Sequence, residues 1–338
     1  PDDPNSLSSY WLTCLYSDNS GLLWIGTENN GIDILNLEQK RFVHHLLRMS
    51  TSAYSASSFI VDRNGELWIG ISDHGLMQLD QTINFKAYYQ FMPCGEDPHL
   101  NSQFYNIFED RQHKLWFADN HQRNAGFFLL DRDRRCFDSI HFRMPPEYIH
   151  YGHGEHIYMN ALQTDKKNRN WFGTSQGLFY NFPGQALEMI SFPFCSGDSL
   201  LKLTVWDLKI DDHGDLWIAT EKYGLLCSKN LSNLDPATAC LDLHSLIRLE
   251  HNHPILAIHK DGSGQLWLGA MDGLFKPGPD TTTLEPVIDQ NNLLANNPVL
   301  HIAGDSSDNL WLHTLNGLVR YNPGKGGSLA TKIFRVSD

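Results

Sequence analysis

Imidazole and carboxylate side chains cluster in one long stretch between two predicted strands, which holds His150, His153, Glu155 and His156. Neutral imidazole and carboxylate groups are suitable zinc ligands. However, this stretch is a glycine-containing loop that fixes no tetrahedral geometry, and histidines in loops are commonly solvated. We therefore expect no metal site in this protein.

Three catalytic motifs are absent from the sequence, which has no H-E-x-x-H pair, no phosphate-binding loop and no dinucleotide fingerprint. Paired carboxylates for glycoside cleavage cannot be recognised while the loops that would place them are unknown. We expect no enzymatic activity, no catalytic residue and no cofactor.

The remaining residue types that could do chemistry suit ligand binding. Aromatic rings can stack on a sugar ring, and side chains with two hydrogen-bonding atoms can bind its hydroxyl groups. Little positive charge accompanies them in the predicted loops, which favours a neutral or mildly charged sugar. The candidate ligand-binding residues are Trp11, Glu28, Tyr54, Asp73, Tyr105, Arg123, Tyr151, Trp206, Lys222 and Tyr223.

The elements that must position these residues are indicated by an internal repeat. Seven tryptophans recur at intervals of 44 to 55 residues, each preceded by an aspartate six positions earlier. Three positions before each tryptophan stands Gly, His, Asn or Asp, residue types that tolerate a positive φ. This pattern predicts a hairpin turn before each tryptophan strand. The tryptophans are Trp24, Trp68, Trp116, Trp171, Trp217, Trp267 and Trp311.

Each unit continues with a short polar loop, a Gly-apolar pair that opens a third strand, and a fourth strand. In blades three and five we expect that fourth strand at Cys136–Phe142 and Ala239–Ser245. Four antiparallel strands repeated seven times predict an all-β fold, a seven-bladed β-propeller in a single domain over residues 1–338. We expect the blades at residues 8–47, 51–91, 101–142, 156–193, 203–245, 252–289 and 296–337.

The repeated Asp and Trp are expected to be structural, because every blade must solve the same turn and packing problem. Ligand recognition should lie where the repeats differ. The loops after the Trp strands and the connections between blades should emerge together on one side of the ring, which we call the loop face. The long segments Asp119–Ala125 and His141–Asn160 should form a wall there beside a cleft. We expect the cleft to be approached by Arg123, Tyr105, Tyr54 and Tyr151, with Trp11 and Trp206 on its rim.

Composition excludes other functions. With 26 basic and 39 acidic residues the formal charge is -13, which repels phosphate backbones, so we expect no nucleic-acid partner. No stretch of 18 apolar residues is present, so we expect no direct membrane insertion. The chain begins at Pro1, as expected of a piece of a longer protein. The six cysteines permit disulfides, but we expect buried free thiols.

Segments such as Asp62–Gly70 and Asp18–Thr27, each with its later Gly-apolar pair, resemble the two-component regulator propeller repeat. Ala118, Asn170 and His313 depart from that pattern. The resemblance implies an extracytoplasmic sensor region of a bacterial hybrid histidine kinase or diguanylate-cyclase receptor, located in the periplasm. The implied partners are an oligosaccharide or other small polar ligand, adjacent receptor domains, and a second copy in a homodimer.

Two other functions remain open from the residues. One is a propeller-fold polysaccharide lyase or hydrolase with His153 or His74 as general base. The other is a structural propeller that mediates receptor dimerisation. Product formation from glycans would separate the enzyme from the sensor.

Overall fold

The structure is a computed structural model. It describes residues 6–18, 21–37, 41–45, 55–71, 75–94, 104–119, 126–143, 157–182, 184, 188–192, 194–196, 199–201, 203–229, 231, 241–242, 247–249, 253–279, 283–289, 293–325 and 331–336. No helix in these parts of the chain is long and apolar enough to cross a membrane.

Seven sheets form the blades. Each blade has four antiparallel strands, which are consecutive except in blade five, and the sheet of blade four has a fifth strand that pairs in parallel. Blades one to three consist of β1 Leu12–Ser17, β2 Leu22–Thr27, β3 Gly31–Asn36, β4 Arg41–His45; β5 Ala56–Val61, β6 Leu67–Ile71, β7 Gly75–Leu79, β8 Phe85–Tyr89; and β9 Phe104–Glu109, β10 Leu115–Asp119, β11 Gly126–Asp131, β12 Cys136–Ser139. Blade four follows β13 His141–Arg143 and consists of β14 Met159–Thr164, β15 Asn170–Thr174, β16 Gly177–Asn181 and β17 Glu188–Phe192.

Blades five to seven complete the chain. They consist of β20 Val205–Ile210, β21 Leu216–Thr220, β22 Leu225–Ser228, β24 Ile247–Leu249; β25 Ile255–Lys260, β26 Leu266–Ala270, β27 Gly273–Pro277, β28 Leu284–Pro286; and β29 Val299–Gly304, β30 Leu310–Thr314, β31 Gly317–Tyr321, β32 Thr331–Phe334. A small extra sheet lies between blades four and five and consists of β18 Phe194–Ser196, β19 Ser199–Leu201 and β23 Leu241–Asp242.

The blades form a closed ring. The first strands β1, β5, β9, β14, β20, β25 and β29 contact one another in that order, and β29 contacts β1. Between residues 6 and 336, as far as they are described, the termini share no strand; instead the backbone N–H of Leu7 donates to the carbonyl of Arg335, and Leu7 packs with Trp311 and Phe334. The predicted seven-bladed propeller is confirmed.

Two predicted fourth strands are wrong. In blade three the strand stops at Ser139, and His141–Arg143 instead pairs in parallel with β17 of blade four. In blade five the fourth strand is Ile247–Leu249, which pairs with β22 in a register that sets Ile247 opposite Cys227 and Leu249 opposite Leu225. Leu241–Asp242, inside the predicted Ala239–Ser245 strand, pairs with β18 instead. In blade five, residues 241–242 and 247–249 both have the apolar pattern of a strand, so the sequence pattern alone could not show which of them is the fourth strand.

The repeated tryptophans fill the space between neighbouring sheets, as predicted. Trp68 of blade two, for example, packs with Ile107, Phe117 and Phe137 of blade three. Trp311 of blade seven packs in the same way against blade one, so the same contact also closes the ring. Burial of these large rings stabilises the contact between neighbouring blades.

The repeated aspartates organise the hairpin turns. One carboxylate oxygen accepts backbone N–H groups within the turn, as from Asn64 and Glu66 to Asp62. In all seven blades the other oxygen accepts the indole N–H of the tryptophan six positions later, at 2.8–3.1 Å. The residue three before each tryptophan has φ between 57° and 91°, as predicted. The Asp–Trp bond was not part of that prediction.

A disulfide joins Cys94, which follows the fourth strand of blade two, to Cys136 in the fourth strand of blade three. The prediction of free thiols is therefore wrong for this pair. It holds for Cys14 and Cys227, whose thiols are free and whose pKa values burial raises to about 12. The two outer strands are also joined by backbone bonds between Phe137 and residues 92 and 94.

Candidate functional site

A β-bulge occurs at the same place in the first strand of every blade. One residue in each of these strands has no partner on the Trp strand, and it always lies eleven positions before the repeated tryptophan. Bulges commonly redirect a side chain next to a functional site. The bulge residues are Thr13, Ser57, Tyr105, Asn160, Trp206, Leu256 and Leu300.

A cavity of about 630 Å³ lies where these bulges converge, at the loop-face end of the central channel, and we call it the channel mouth. Its size is within the usual range for small-molecule sites. The residues before the bulges, such as Ile255 and Val299, are fully buried, whereas Leu256 and Leu300 are half-buried. Its lining residues are Thr13, Glu28, Ser55, Ser57, Asn106, Tyr158, Asn160, Ser175, Trp206, Leu256, Leu300 and His301.

Polar side chains of the channel mouth are held by bonds to the next blade. Thr13 Oγ1 donates to the carbonyl of Ala56 at 2.7 Å. Asn160 Nδ2 donates in the same way to the carbonyl of Val205 at 2.8 Å. An Asn fixed through its amide N–H retains a carbonyl oxygen that can accept a hydrogen bond from a ligand hydroxyl. These bonds preorganise the site and join the blades around it.

The same fixing occurs one position after the bulge. Asn106 Nδ2 donates to the carbonyl of Met159, and Asp207 Oδ2 accepts the backbone N–H of Ile258 at 2.7 Å. Burial raises the pKa of Asp207 to about 6, although the N–H groups of Ile258 and Leu208 oppose this shift. Asp207 follows Trp206, so its titration occurs beside the channel mouth.

Blade seven contributes two stacked imidazoles. His301 lies across from His313 on the neighbouring strand, with ring centroids 5.5 Å apart and planes 11° apart. Burial lowers the pKa of His313 to about 3, and burial also lowers the pKa of His301. Both rings are therefore neutral at pH 7. Among the described lining residues the one carboxylate is Glu28, and none is Lys or Arg.

The structure brings two predicted residues, Glu28 and Trp206, into the channel mouth. Trp11 lies beside Glu28, whose backbone N–H donates to its carbonyl, and its side chain is 67% exposed. Lys222 is exposed, whereas Tyr223 is half-buried and packs against the core between blades four and five. Trp206 is 36% exposed, so neither Trp11 nor Trp206 is a core residue.

Other predictions lie outside the described residues. Tyr54, Asp73, Arg123 and Tyr151 are among them, as are His74, His153 and the rest of the histidine-rich loop. Tyr105 is a bulge residue of β9, of which the backbone alone is described. The shared cleft and the wall built by Asp119–Ala125 and His141–Asn160 therefore stay predictions. Within the described part of the chain, no three His, Cys, Asp or Glu residues are grouped to hold a metal ion.

Most lining residues were missed from the sequence, including Ser57, Asn160, Leu256, Leu300 and His301. Attention to the loops passed over the first residues of the inner strands, which line the channel mouth. The signal was nevertheless present, because the position eleven before each repeated tryptophan varies from blade to blade, whereas the positions twelve and nine before it are apolar in all seven blades.

Comparison with known families identifies one segment of the chain. Residues 6–29 match the two component regulator propeller family. The segment contains β1, β2 and the first Asp–Trp pair, so the resemblance predicted from the repeat is confirmed there. No curated protein sequence matches the chain significantly.

Solved structures share the fold. The chain is similar to the extracellular domain of the hybrid two component system BT4673 from B. thetaiotaomicron, with a TM-score of 0.66 and 19% identity over 99% of this chain and 48% of that one. It is also similar to PorZ of the Porphyromonas gingivalis type-IX secretion system, with a TM-score of 0.71 and 14% identity over 95% of this chain and 48% of PorZ. A third similar structure is virginiamycin B lyase from Staphylococcus aureus, with a TM-score of 0.63 and 13% identity over 94% of this chain and 97% of the lyase. The chain thus spans about half the length of the first two.

Proposed function

We propose that this propeller is the ligand-sensing part of a bacterial transmembrane signalling receptor. In this proposal it has no catalytic role and binds an oligosaccharide or another small polar ligand at the channel mouth. The cavity at the channel mouth carries the proposal. Bulge residues, which differ from blade to blade, converge there. The aspartates and tryptophans that recur in every blade are used instead in turns and packing. A rigid ring with a pocket of variable residues is suited to recognition.

The chemistry of the lining supports a ligand without negative charge. Hydroxyl groups of Ser57 and Tyr158 and the amides of Asn106 and Asn160 can bind sugar hydroxyls, and Trp206 offers a ring on which a sugar can stack. Glu28 repels anions, and the neutral imidazole of His301 does not attract them.

A periplasmic location is part of the proposal. The family match of residues 6–29 and the fold shared with a receptor extracellular domain support it. The Cys94–Cys136 disulfide also supports it, since such bonds persist in oxidising compartments. Adjacent receptor domains and a second copy in a homodimer are the proposed protein partners. Ligand binding would signal by having different affinities for two arrangements of these partners.

The fold alone does not separate a sensor from an enzyme, because a lyase shares it. A screen of oligosaccharides resolves this, with melting temperature and product masses measured on the same samples. A ligand that raises the melting temperature and is recovered unchanged supports the sensor. New product masses would support a lyase or hydrolase instead. A screen without any thermal shift would count against a small-glycan ligand and favour the structural role in dimerisation.

A further inference from the structure

The bulge residues divide the channel mouth into two halves of different chemistry. Blades one, two and four contribute Thr13, Ser57 and Asn160, and blade three contributes Asn106 to the lining. Blades five, six and seven, which are consecutive around the ring, contribute the bulge residues Trp206, Leu256 and Leu300, and blade seven also contributes His301. We call the first set the polar arc and the three bulge residues of the second set the apolar arc.

Lining residues outside the inner strands follow the same division. Glu28 of blade one, Ser55 of blade two, and Tyr158 and Ser175 of blade four all extend the polar arc. Each can donate to or accept from a hydroxyl group. The polar arc therefore offers hydrogen-bonding groups over four neighbouring blades, enough to surround one or two sugar units.

The residues of the apolar arc are partly exposed. In contrast, the residue just before the bulge is buried in the six blades where its side chain is described. Leu256 and Leu300 follow the fully buried Ile255 and Val299, and the bulge turns them toward the channel instead of the core. Trp206 is likewise 36% exposed. An apolar surface inside a small-molecule pocket is normally covered by an apolar part of the ligand.

We propose that the ligand is amphipathic: a saccharide bound by the polar arc that carries an apolar substituent, acyl or aryl, bound by the apolar arc. This rests on the proposed function and narrows it. A bare pyranose has one apolar face, for which Trp206 suffices, and its remaining hydroxyl groups would lose water against Leu256 and Leu300 without gaining a partner. A hydrocarbon substituent instead gains by leaving water there.

Matched pairs of glycosides test the proposal. Methyl and phenyl glycosides of the same sugars, in both anomers, are titrated into the protein by calorimetry. For each sugar that binds, the phenyl glycoside is expected to bind about tenfold tighter or more, as for an added ring that is largely buried. Phenol alone is titrated to measure binding without the sugar.

Two variants test whether the tighter binding of phenyl glycosides arises at the apolar arc. Replacing both Leu256→Asn and Leu300→Asn is expected to abolish the phenyl advantage, so that this variant binds methyl and phenyl glycosides of the same sugar with equal affinity. The matched control replaces two exposed apolar residues on outer strands, Val43→Asn and Phe85→Asn, and should keep the advantage. Thermal unfolding of both variants verifies that they fold.

The outcomes distinguish a failure of the apolar-substituent inference from a failure of the proposed function. If methyl and phenyl glycosides bind equally, the apolar substituent is refuted and the sugar-binding proposal stands. If the phenyl advantage survives in the Leu256→Asn, Leu300→Asn variant, the apolar arc is not its site and the inference is overturned. Absence of binding in both series would overturn the inference together with the proposed function.

Discussion

At the residue scale, each repeated aspartate and tryptophan form one structural unit. The carboxylate closes the turn with one oxygen and fixes the indole ring with the other, as Asp261 does for Trp267 at 2.8 Å. The ring thus enters the gap between sheets in a single orientation. This explains why both residues recur in all seven blades, and it assigns them to stability instead of ligand binding.

Replacing Trp267→Phe tests this unit. The variant retains an aromatic ring but leaves the Asp261 carboxylate without the indole N–H and creates a small void. We expect the free energy of unfolding to fall by about 1–3 kcal/mol, the usual cost of losing a hydrogen bond to a charged group. Chemical denaturation measures it. Trp206→Phe, which alters a ring in the channel mouth, is the control and should change stability by no more than about 0.5 kcal/mol.

Asp207 should give stability a specific pH dependence. Burial raises its pKa from 3.8 to about 6, so the folded protein holds the proton more tightly than the unfolded chain. This contribution to stability is fully present below about pH 4 and is lost as the pH rises to about 6. Because Asp207→Asn cannot ionise, its stability relative to wild type should increase between about pH 4 and pH 7.

Denaturation at several pH values measures that difference. The control is Asp212→Asn, because the hydrogen bond and charge of Lys260 lower the pKa of Asp212 and keep it ionised throughout this range. Its stability difference from wild type should stay constant. An Asp207→Asn profile parallel to that of wild type would show that Asp207 does not titrate as described.

Sequence-based prediction of single residues succeeded where the repeat fixes a role. The positive φ at His113, Asn168 and Asp308 followed from their offset from the tryptophans, although none is glycine. Prediction of the site residues was weaker, because the course of a loop depends on contacts between blades that no local pattern encodes. Tyr223, for example, lies in a predicted binding loop, yet its side chain packs against a core cluster.

At the element scale, the bulge in each inner strand separates core from channel. In β25 it lets Ile255 stay buried while the next residue, Leu256, faces the channel. In a regular strand the side chains alternate strictly between two faces, so an extra residue would turn all side chains on one side of it to the opposite face. The bulge absorbs that residue and keeps the alternation of the rest of the strand. The bulge is thus the feature by which a structural repeat presents variable residues to a ligand.

Deleting Leu256 tests the bulge, with Leu256→Ser as the matched control. Deletion closes the bulge and forces the strand before it to shift register, which exposes Ile255 or its neighbour. We expect a loss of about 1.5–3 kcal/mol or more, the cost of exposing one large aliphatic side chain. The Ser variant keeps the bulge and should lose much less. Equal losses in chemical denaturation would show that the extra residue has no structural role.

The disulfide between blades two and three gives a prediction at the same scale. It closes a loop with a sequence separation of 42 residues. The Cys94→Ser, Cys136→Ser variant is expected to lose about 2–4 kcal/mol of stability, because the unfolded chain gains freedom. Replacing the free, buried Cys227→Ser is the control for the loss of a thiol. Peptide mass mapping without reduction should find Cys94 and Cys136 cross-linked, and alkylation of both would contradict the pairing.

The strand order of each blade was predictable because turn residues and the tryptophan recur in register. The outermost strands were less predictable, since they pair on one side alone and carry weaker apolar patterns. Residues 241–242 and 247–249 both follow a strand-like pattern, and the choice between them depends on the extra sheet formed by β18 and β19. That pairing is tertiary, so no local signal reports it.

At the scale of the whole molecule, seven similar blades close into a ring around the channel mouth, where the residues that line the cavity differ between blades. Closure uses the same interblade packing as every other pair, with Trp311 against blade one and Leu7 added to the seam. The number of blades was predictable by counting repeats. The cavity was not, because it exists only where seven strands meet.

The central claim is that ligand recognition occurs at the channel mouth. Calorimetric titration of the best glycan from the screen into wild type, Trp206→Ala and Phe85→Ala tests it most directly. We predict that Trp206→Ala weakens binding by about 1–3 kcal/mol, as for an aromatic anchor, and that Phe85→Ala, on an outer strand, has no effect. Unchanged affinity in a folded Trp206→Ala variant would contradict the claim and place recognition elsewhere on the propeller.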